Sequence, residues 1–283
     1  MSDDQPEIDE EGFLYDGQRI TVLRGQHPNN FYSAHAFFLA QRFAYGETNS
    51  ILRDEHDYPM LGLLRVPRGE EHNHESVLAQ IEWVLARILR GLINRALRMS
   101  NEPLRIALSG FGPFEDQSGV QIPHNVTGEF AAAHGRLRST LRTALPDKLA
   151  PVDANEKSQE LASPHDLAVP VRVYDPDFRL GRPVTVFARV LSVDTRTLSN
   201  DRAMGLLGML EFYRPHIYIG LGVRKRGAPE FVIEEVSDNS GLGRTPDLHH
   251  APDAPATTGH PLNRAAARAF AQGLQELGGM SHD

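Results

Sequence analysis

Chemistry in this chain is suggested first by a loop in its middle. Arg105 to Phe114 reads RIALSGFGPF, an apolar run with β-preferring ends that breaks into Gly110-Phe111-Gly112-Pro113-Phe114. Such a pattern predicts a buried strand running into a glycine-shaped loop. The rings of Phe111 and Phe114 are then either the lining of an apolar pocket or members of the core. A second candidate is Arg224-Lys225-Arg226, just past the apolar run HIYIGLG. It lies at the C-terminal end of an expected strand, where open α/β sheets place ligands, and is otherwise a solvated charge run. The 13 histidines offer His72-x-His74 and His249-His250 as their closest pairs, both in polar loops without an identifiable third ligand, so no metal is expected. Gly241-x-Gly243 lacks the strand-to-helix context of a dinucleotide fingerprint and no lysine-bearing phosphate loop is present, so no cofactor is expected either. The chain has no cysteine, which removes disulfides, thiolate metal sites and a thiol nucleophile together.

The elements that must hold these residues follow from periodicity. Arg19 to Leu23, Met60 to Val66, Arg105 to Ser109, Val184 to Val193 and His216 to Leu221 read as strands. Glu75 to Leu97 keeps apolar residues at helical spacing for about six turns, with Trp83 among its core positions. Tyr32 to Phe43, Val126 to Leu145, Asn200 to Phe212 and Leu262 to Leu277 are further helices, the last ending at Gly278-Gly279. Strands alternating with helices predict a three-layer α/β/α fold around a mostly parallel sheet. Residues 1–18 read as an acidic, flexible tail and 19–283 as one domain, with 146–166 a polar surface excursion.

Composition bounds the function. With 283 residues, 40% of them hydrophobic, the chain can bury a full core. Its formal net charge of -8 disfavours nucleic acid as a partner. No run is apolar enough to span a bilayer and MSDDQPEIDEE is unlike a secretory signal, so the cytoplasm is the expected compartment, with no membrane partner.

The Gly-Phe-x-Pro-Phe loop resembles the opening of pyroglutamyl peptidase I, a cysteine peptidase that removes N-terminal pyroglutamate. Further matches follow in order. Ala188 to Val193 (ARVLSV) echoes the family's Gly-Arg-Val-Leu-Pro-Val, Arg214-Pro215-His216 and IYIGLG stand at its Lys-Pro-Asp and Val-Gly-Leu, and Val232 to Asn239 (VIEEVSDN) stands at Ile-Glu-Arg-Ile-Ala-Val-Asn. The family's remaining third is missing from the C-terminus, and its order of elements reappears at the N-terminus: RITVL, Phe31-Tyr32-Ser33 opening a helix, Gly62 to Pro67, then the long helix. The resemblance thus implies a circular permutation, with residues 19–98 as the family's C-terminal part, 105–279 as its N-terminal part and the old termini joined through Met99 to Leu104. Termini of compact domains commonly lie close together, which makes such a rearrangement physically cheap.

Carried across position by position, the resemblance puts Tyr32 where the family has its nucleophilic cysteine, Arg65 where it has histidine, and Glu234 at the glutamate of the Cys-His-Glu triad. A tyrosine hydroxyl stays protonated at neutral pH and an arginine cannot act as an ordinary base, so the inherited acyl-transfer chemistry is expected to be lost. Ser33, the neighbour of Tyr32, points about a third of a turn away on a helix. Arg65 either closes the old site in an ion pair with Glu234 or holds a peptide carboxylate. The implied function is a non-catalytic peptide-binding protein. Its expected site comprises Tyr32, Arg65, Phe111, Phe114, Glu234, Arg224 and Arg226, and its expected partners are a precursor or leader peptide and the modifying enzymes of a ribosomal-peptide natural-product pathway, similar to the crocagin type. The alternatives are an amidohydrolase or peptidase relocated around Glu234, and an oligomeric scaffold, since the resembled family often forms homo-oligomers.

Overall fold

A computed structural model of the chain describes residues 8–15, 18–25, 60–70, 72–115, 121–145, 149–150, 160–175, 178–193, 199–224, 227–234, 237–238 and 257–258, with Ser33, Ala36, Phe37, Leu39, Ala40 and Gln41. Thirteen strands occur among them: β1 (Ile8–Tyr15), β2 (Gln18–Gly25), β3 (Met60–Val66), β4 (Leu104–Phe111), β5 (Phe114–Glu115), β6 (Gln121–Ile122), β7 (Leu149–Ala150), β8 (Leu167–Asp175), β9 (Phe178–Leu191), β10 (Ile217–Val223), β11 (Phe231–Glu234), β12 (Ser237–Asp238) and β13 (Thr257–Thr258). Four helices have defined bounds: α1 (His74–Met99), α2 (Val126–Ala132), α3 (His134–Ala144) and α4 (Leu206–Tyr213). Ser33, Ala36, Phe37, Leu39, Ala40 and Gln41 are also helical.

Nine strands form one sheet in the order β1-β2-β11-β3-β10-β4-β9-β8-β7. The expectation of a mostly parallel sheet holds for its centre: β3, β10, β4 and β9 are mutually parallel, and β2 is parallel to β11. The flanks are not parallel, because β11 runs against β3, β8 against β9, and both edges end in antiparallel pairs. The sheet is therefore mixed. RITVL within β2 shares it with RIALSGF of β4.

Alternation along each strand sorts the core into two layers, because successive side chains point to opposite faces. Met60, Leu64, Val66, Ile106, Leu108, Val186, Ile217 and Ile219 pack with α1, α2 and α3 on one face. Leu61, Leu63, Ala107, Phe187 and Tyr218 pack with Phe37 and α4 on the other. Strands buried on both sides read as unbroken apolar runs, which is why MLGLLRV is buried at every position. Helix α1 turns Leu78, Ile81, Leu85, Ile88 and Leu92 inward at three- and four-residue spacing. Each such side chain contributes about 1.5–3 kcal/mol by leaving water. Trp83 is half-buried against this layer with the Arg87 guanidinium 3.1 Å above its ring.

Several expectations need correction. Residues 8–15 of the acidic tail form edge strand β1 rather than a flexible lead. The helix expected over Val126 to Leu145 is broken at Ala133, where φ -92 and ψ 87 separate α2 from α3. The helix expected from Asn200 begins at Leu206. Within the excursion 146–166, Leu149–Ala150 joins the sheet, and Ser163 and Asp166 are buried. The expected helix Leu262 to Leu277 lies outside the described residues.

Residues 97–102, which include the start of the proposed joint, are held by one side chain. Arg182, fully buried, donates to the carbonyls of Leu97, Ser100 and Glu102. A cation at the end of α1 both satisfies carbonyls that the helix leaves open and complements its dipole.

Candidate active site

The chain reverses its direction of travel between β4 and β10. From β3 it crosses over β10 by α1, on one face, to reach β4; from β9 it crosses back over β4 by α4, on the other face, to reach β10. After β4 the chain continues toward β8 and β9, and after β10 toward β11 beyond β3. Loops leaving the two strands therefore diverge, and open α/β sheets bind ligands in the crevice that such a switch creates at the carboxyl ends.

The parting of the two strands is visible in the pairing. β10 and β4 are matched only from Ile217↔Ile106 to Gly220↔Ser109, whereas β10 stays with β3 to Val223↔Val66 and β4 stays with β9 to Phe111↔Leu191. The cause lies in the Gly-Phe-Gly-Pro loop. Gly112 N–H donates to Leu191 on the β9 side. One residue earlier the N–H points the other way, toward β10. That N–H, of Phe111, donates instead to Thr127 Oγ1 at 3.0 Å. Thr127 Oγ1 in turn donates to Asn125 Oδ1, and Asn125 Nδ2 donates to the carbonyl of Gly112, a closed set of buried bonds at the start of α2. Contact this close requires glycine at two places: a Cβ on Gly110 would lie 1.9 Å from the Thr127 carbonyl oxygen, and one on Gly128 would lie 2.4 Å from that of Phe111. Gly110→Ala should consequently lower the thermal midpoint by several degrees, by analogy with overpacked cores that lose about 1–3 kcal/mol. An unchanged midpoint would show that α2 can move away.

On the β3 side of β10 stands the expected pair. Arg65 Nη1 and Glu234 Oε1 are 2.9 Å apart, with side chains only 8% and 3% exposed. The strands bring them together because β11 runs antiparallel to β3, with Val232 beside Arg65 and Glu234 beside Leu63. Gly222 of β10 is level with Arg65. A Cβ there would fall 2.4 Å from Ser33 Oγ, so buried Ser33 sits against the glycine next to the ion pair. Tyr32 precedes it and lies outside the described residues, as does Arg226. Arg224 follows β10 immediately, and its guanidinium reaches Glu230 at 3.1 Å.

Phe111 is buried in the layer that holds Phe37 and α4, so its ring is part of the core under the crevice. Phe114 is half-buried in the small β5–β6 pair, where it lies opposite Ile122. The two rings are thus not an equivalent pair of pocket walls.

Two polar clusters on the same face escaped the motifs. Tyr218 and Ser109 bond at 2.9 Å just below the point where β4 and β10 part. Burial raises the Tyr218 pKa to about 12, opposed by the Ser109 bond. Because the folded state holds this proton more tightly, stability should fall as pH rises from about 10 to about 12, and Tyr218→Phe should flatten that part of an alkaline denaturation curve. Farther along, Asp166 receives Arg189 Nε at 2.6 Å and Nη2 at 2.8 Å, with the Tyr213 hydroxyl at 2.6 Å. Arg189 also donates to the carbonyls of Gly205 and Arg202. Burial, and then the bond to Asp166, push the Tyr213 pKa upward. The readable signal for Arg189 was a lone charge in the apolar run VTVFARVLSV.

His74 and His124 both contact Glu129, at 2.6 and 3.2 Å. Among the described residues no three His, Asp or Glu side chains are placed to hold a metal, and His249 and His250 lie outside them. No helix among the described residues is long and apolar enough to cross a membrane. Comparison with protein-family models, curated proteins and solved structures finds no match to the chain.

Proposed function

We propose that the chain is a non-catalytic peptide-binding protein, a pseudo-peptidase built on a circularly permuted scaffold of the pyroglutamyl peptidase type. The observation that carries this reading is the buried Arg65–Glu234 ion pair beside the sheet's switch point, at the positions that the resemblance gives to histidine and glutamate. An arginine does not accept a proton at neutral pH, and a carboxylate engaged by a guanidinium is a weak base. With no cysteine in the sequence, the inherited thiol mechanism has neither nucleophile nor base. What remains is the parting of β4 and β10 at the carboxyl ends of parallel strands, the place where open α/β sheets hold ligands.

The ligand on this reading is a precursor or leader peptide, presented in the cytoplasm to the enzymes that modify it in ribosomal-peptide biosynthesis. Assembly as a homo-oligomer would multiply such sites. One observation favours a hydrolase instead: Ser33 is packed next to Gly222, level with Arg65. That mechanism needs a base for Ser33, and Glu234 is committed to Arg65.

Incubating the full chain with candidate precursor peptides separates the readings. Saturable binding with peptide mass unchanged is expected. Time-dependent cleavage by pure protein, abolished by Ser33→Ala, would establish the hydrolase in its place.

A further inference from the structure

At the end of the sheet opposite the candidate site, β4 and β10 are joined through one imidazole, and we infer that His216 is a proton-sensitive latch. Unprotonated, it clamps the two strands where they begin; protonation releases them. The latch does not depend on what the candidate site holds.

Only four matched pairs, Ile217↔Ile106 to Gly220↔Ser109, join β10 to β4. Beyond the last of them the strands part, so the hold at the first has weight. The chain enters β10 from α4 through Arg214, which takes a left-handed backbone at φ 43. His216 then closes this end by three bonds: its N–H donates to the Arg105 carbonyl at 2.8 Å, its carbonyl accepts from Met60 N–H at 2.8 Å, and its Nδ1 accepts from Arg105 N–H at 3.1 Å. Arg105 Nε also donates to the Arg214 carbonyl at 3.1 Å. β3, β4 and β10 are thus tied at one residue.

The bond to the ring is the sensitive one. A main-chain N–H can only donate, so Nδ1 must offer a lone pair and the proton of the neutral ring is on Nε2. An imidazolium carries N–H on both nitrogens and cannot accept. Protonation therefore sets two donors against each other and leaves the Arg105 N–H unpaired in a half-buried place.

The surroundings favour the neutral ring. Arg105 of β4, Arg182 of β9 and Glu102 of the segment before β4 act on it, and the one charge of β3, Arg65, is at that strand's far end. Burial first, and then the Arg105 charge, hold the His216 pKa below the ordinary histidine value; Arg182 adds to this and Glu102 opposes it. The folded state binds this proton less tightly than the unfolded chain. The contribution to stability is therefore full above about pH 6.5 and is lost as pH falls through that value towards the folded pKa.

The test is amide exchange and histidine ring titration by NMR on the full chain labelled with nitrogen-15. Nδ1 of His216 is expected to be unprotonated at neutral pH, with the ring titrating below free histidine. Between about pH 7.5 and about pH 5.5 the protection of the Arg105 amide, corrected for its intrinsic rate, should fall about tenfold, the factor that one linked proton gives per pH unit. His216→Asn keeps an acceptor oxygen near the place of Nδ1 and cannot take up the proton, so Arg105 protection should stay level in that variant. The first arm uses the unaltered protein and stands even if His216→Asn folds poorly. Constant Arg105 protection across this range in the unaltered protein, or a His216 ring that titrates at or above the value of free histidine, overturns the latch.

Discussion

Replacing Arg189 with alanine is expected to destabilise the fold by about 3–5 kcal/mol, the range seen when one partner of a buried ion pair is removed. The Asp166 carboxylate has no exposed side-chain surface and takes a bond on each of its oxygens from this guanidinium, beside the one from the Tyr213 hydroxyl. The loss would also release the carbonyls of Gly205 and Arg202, which fix the turn leading into α4. Against a total stability of roughly 5–15 kcal/mol, such a change should leave a protein near its unfolding midpoint at moderate temperature. Urea denaturation provides the check. A loss below about 1 kcal/mol would mean that water or Tyr213 substitutes for the arginine and that the clasp is not structural.

The same logic applied to the candidate site predicts a large loss for single changes and a small one for the paired change. Arg65→Ala strands a buried carboxylate and should cost about 3–5 kcal/mol, and Glu234→Ala should cost a similar amount. Replacing both, as Arg65→Met with Glu234→Leu, removes the two charges together and should recover most of that loss, because hydrophobic pairs of similar volume are often neutral or better. A double-mutant cycle by denaturation, completed with the single variants Arg65→Met and Glu234→Leu, would then show strong coupling. Additive losses would contradict a fixed pair and favour an Arg65 that turns toward a ligand.

The sheet's centre was legible because burial on both faces leaves unbroken apolar runs such as MLGLLRV and HIYIGL. Helix α1 was legible because its inward positions recur without interruption from Val77 to Ala96. The edges were not. β1 carries Asp9, Glu10 and Glu11, and an edge strand needs backbone partners more than apolar side chains, so composition pointed to a tail. Asp166 was hidden in a polar, proline-bearing stretch, because nothing local announces a carboxylate whose partner is 23 residues on. The Arg65–Glu234 pair spans 169 residues and was reachable only through the order of motifs along the chain. Arg65 and Arg189 nevertheless share one signal: each is a lone charge within an apolar run, MLGLLRV or VTVFARVLSV, and each is answered by a buried carboxylate. Read as a rule, that pattern would have located both clusters. Gly110 shows the converse, since the sequence suggested a glycine-shaped loop where the need was for α2 to approach β4.

Hydrogen exchange measured with and without a saturating precursor peptide, alongside the intact mass of that peptide, tests the central claim most directly. The account predicts slower exchange confined to the carboxyl ends of β3, β4 and β10, around Arg65, Phe111 and Arg224, with the peptide uncut after prolonged incubation. Protection elsewhere with none at these strand ends, or progressive loss of peptide mass, would contradict it.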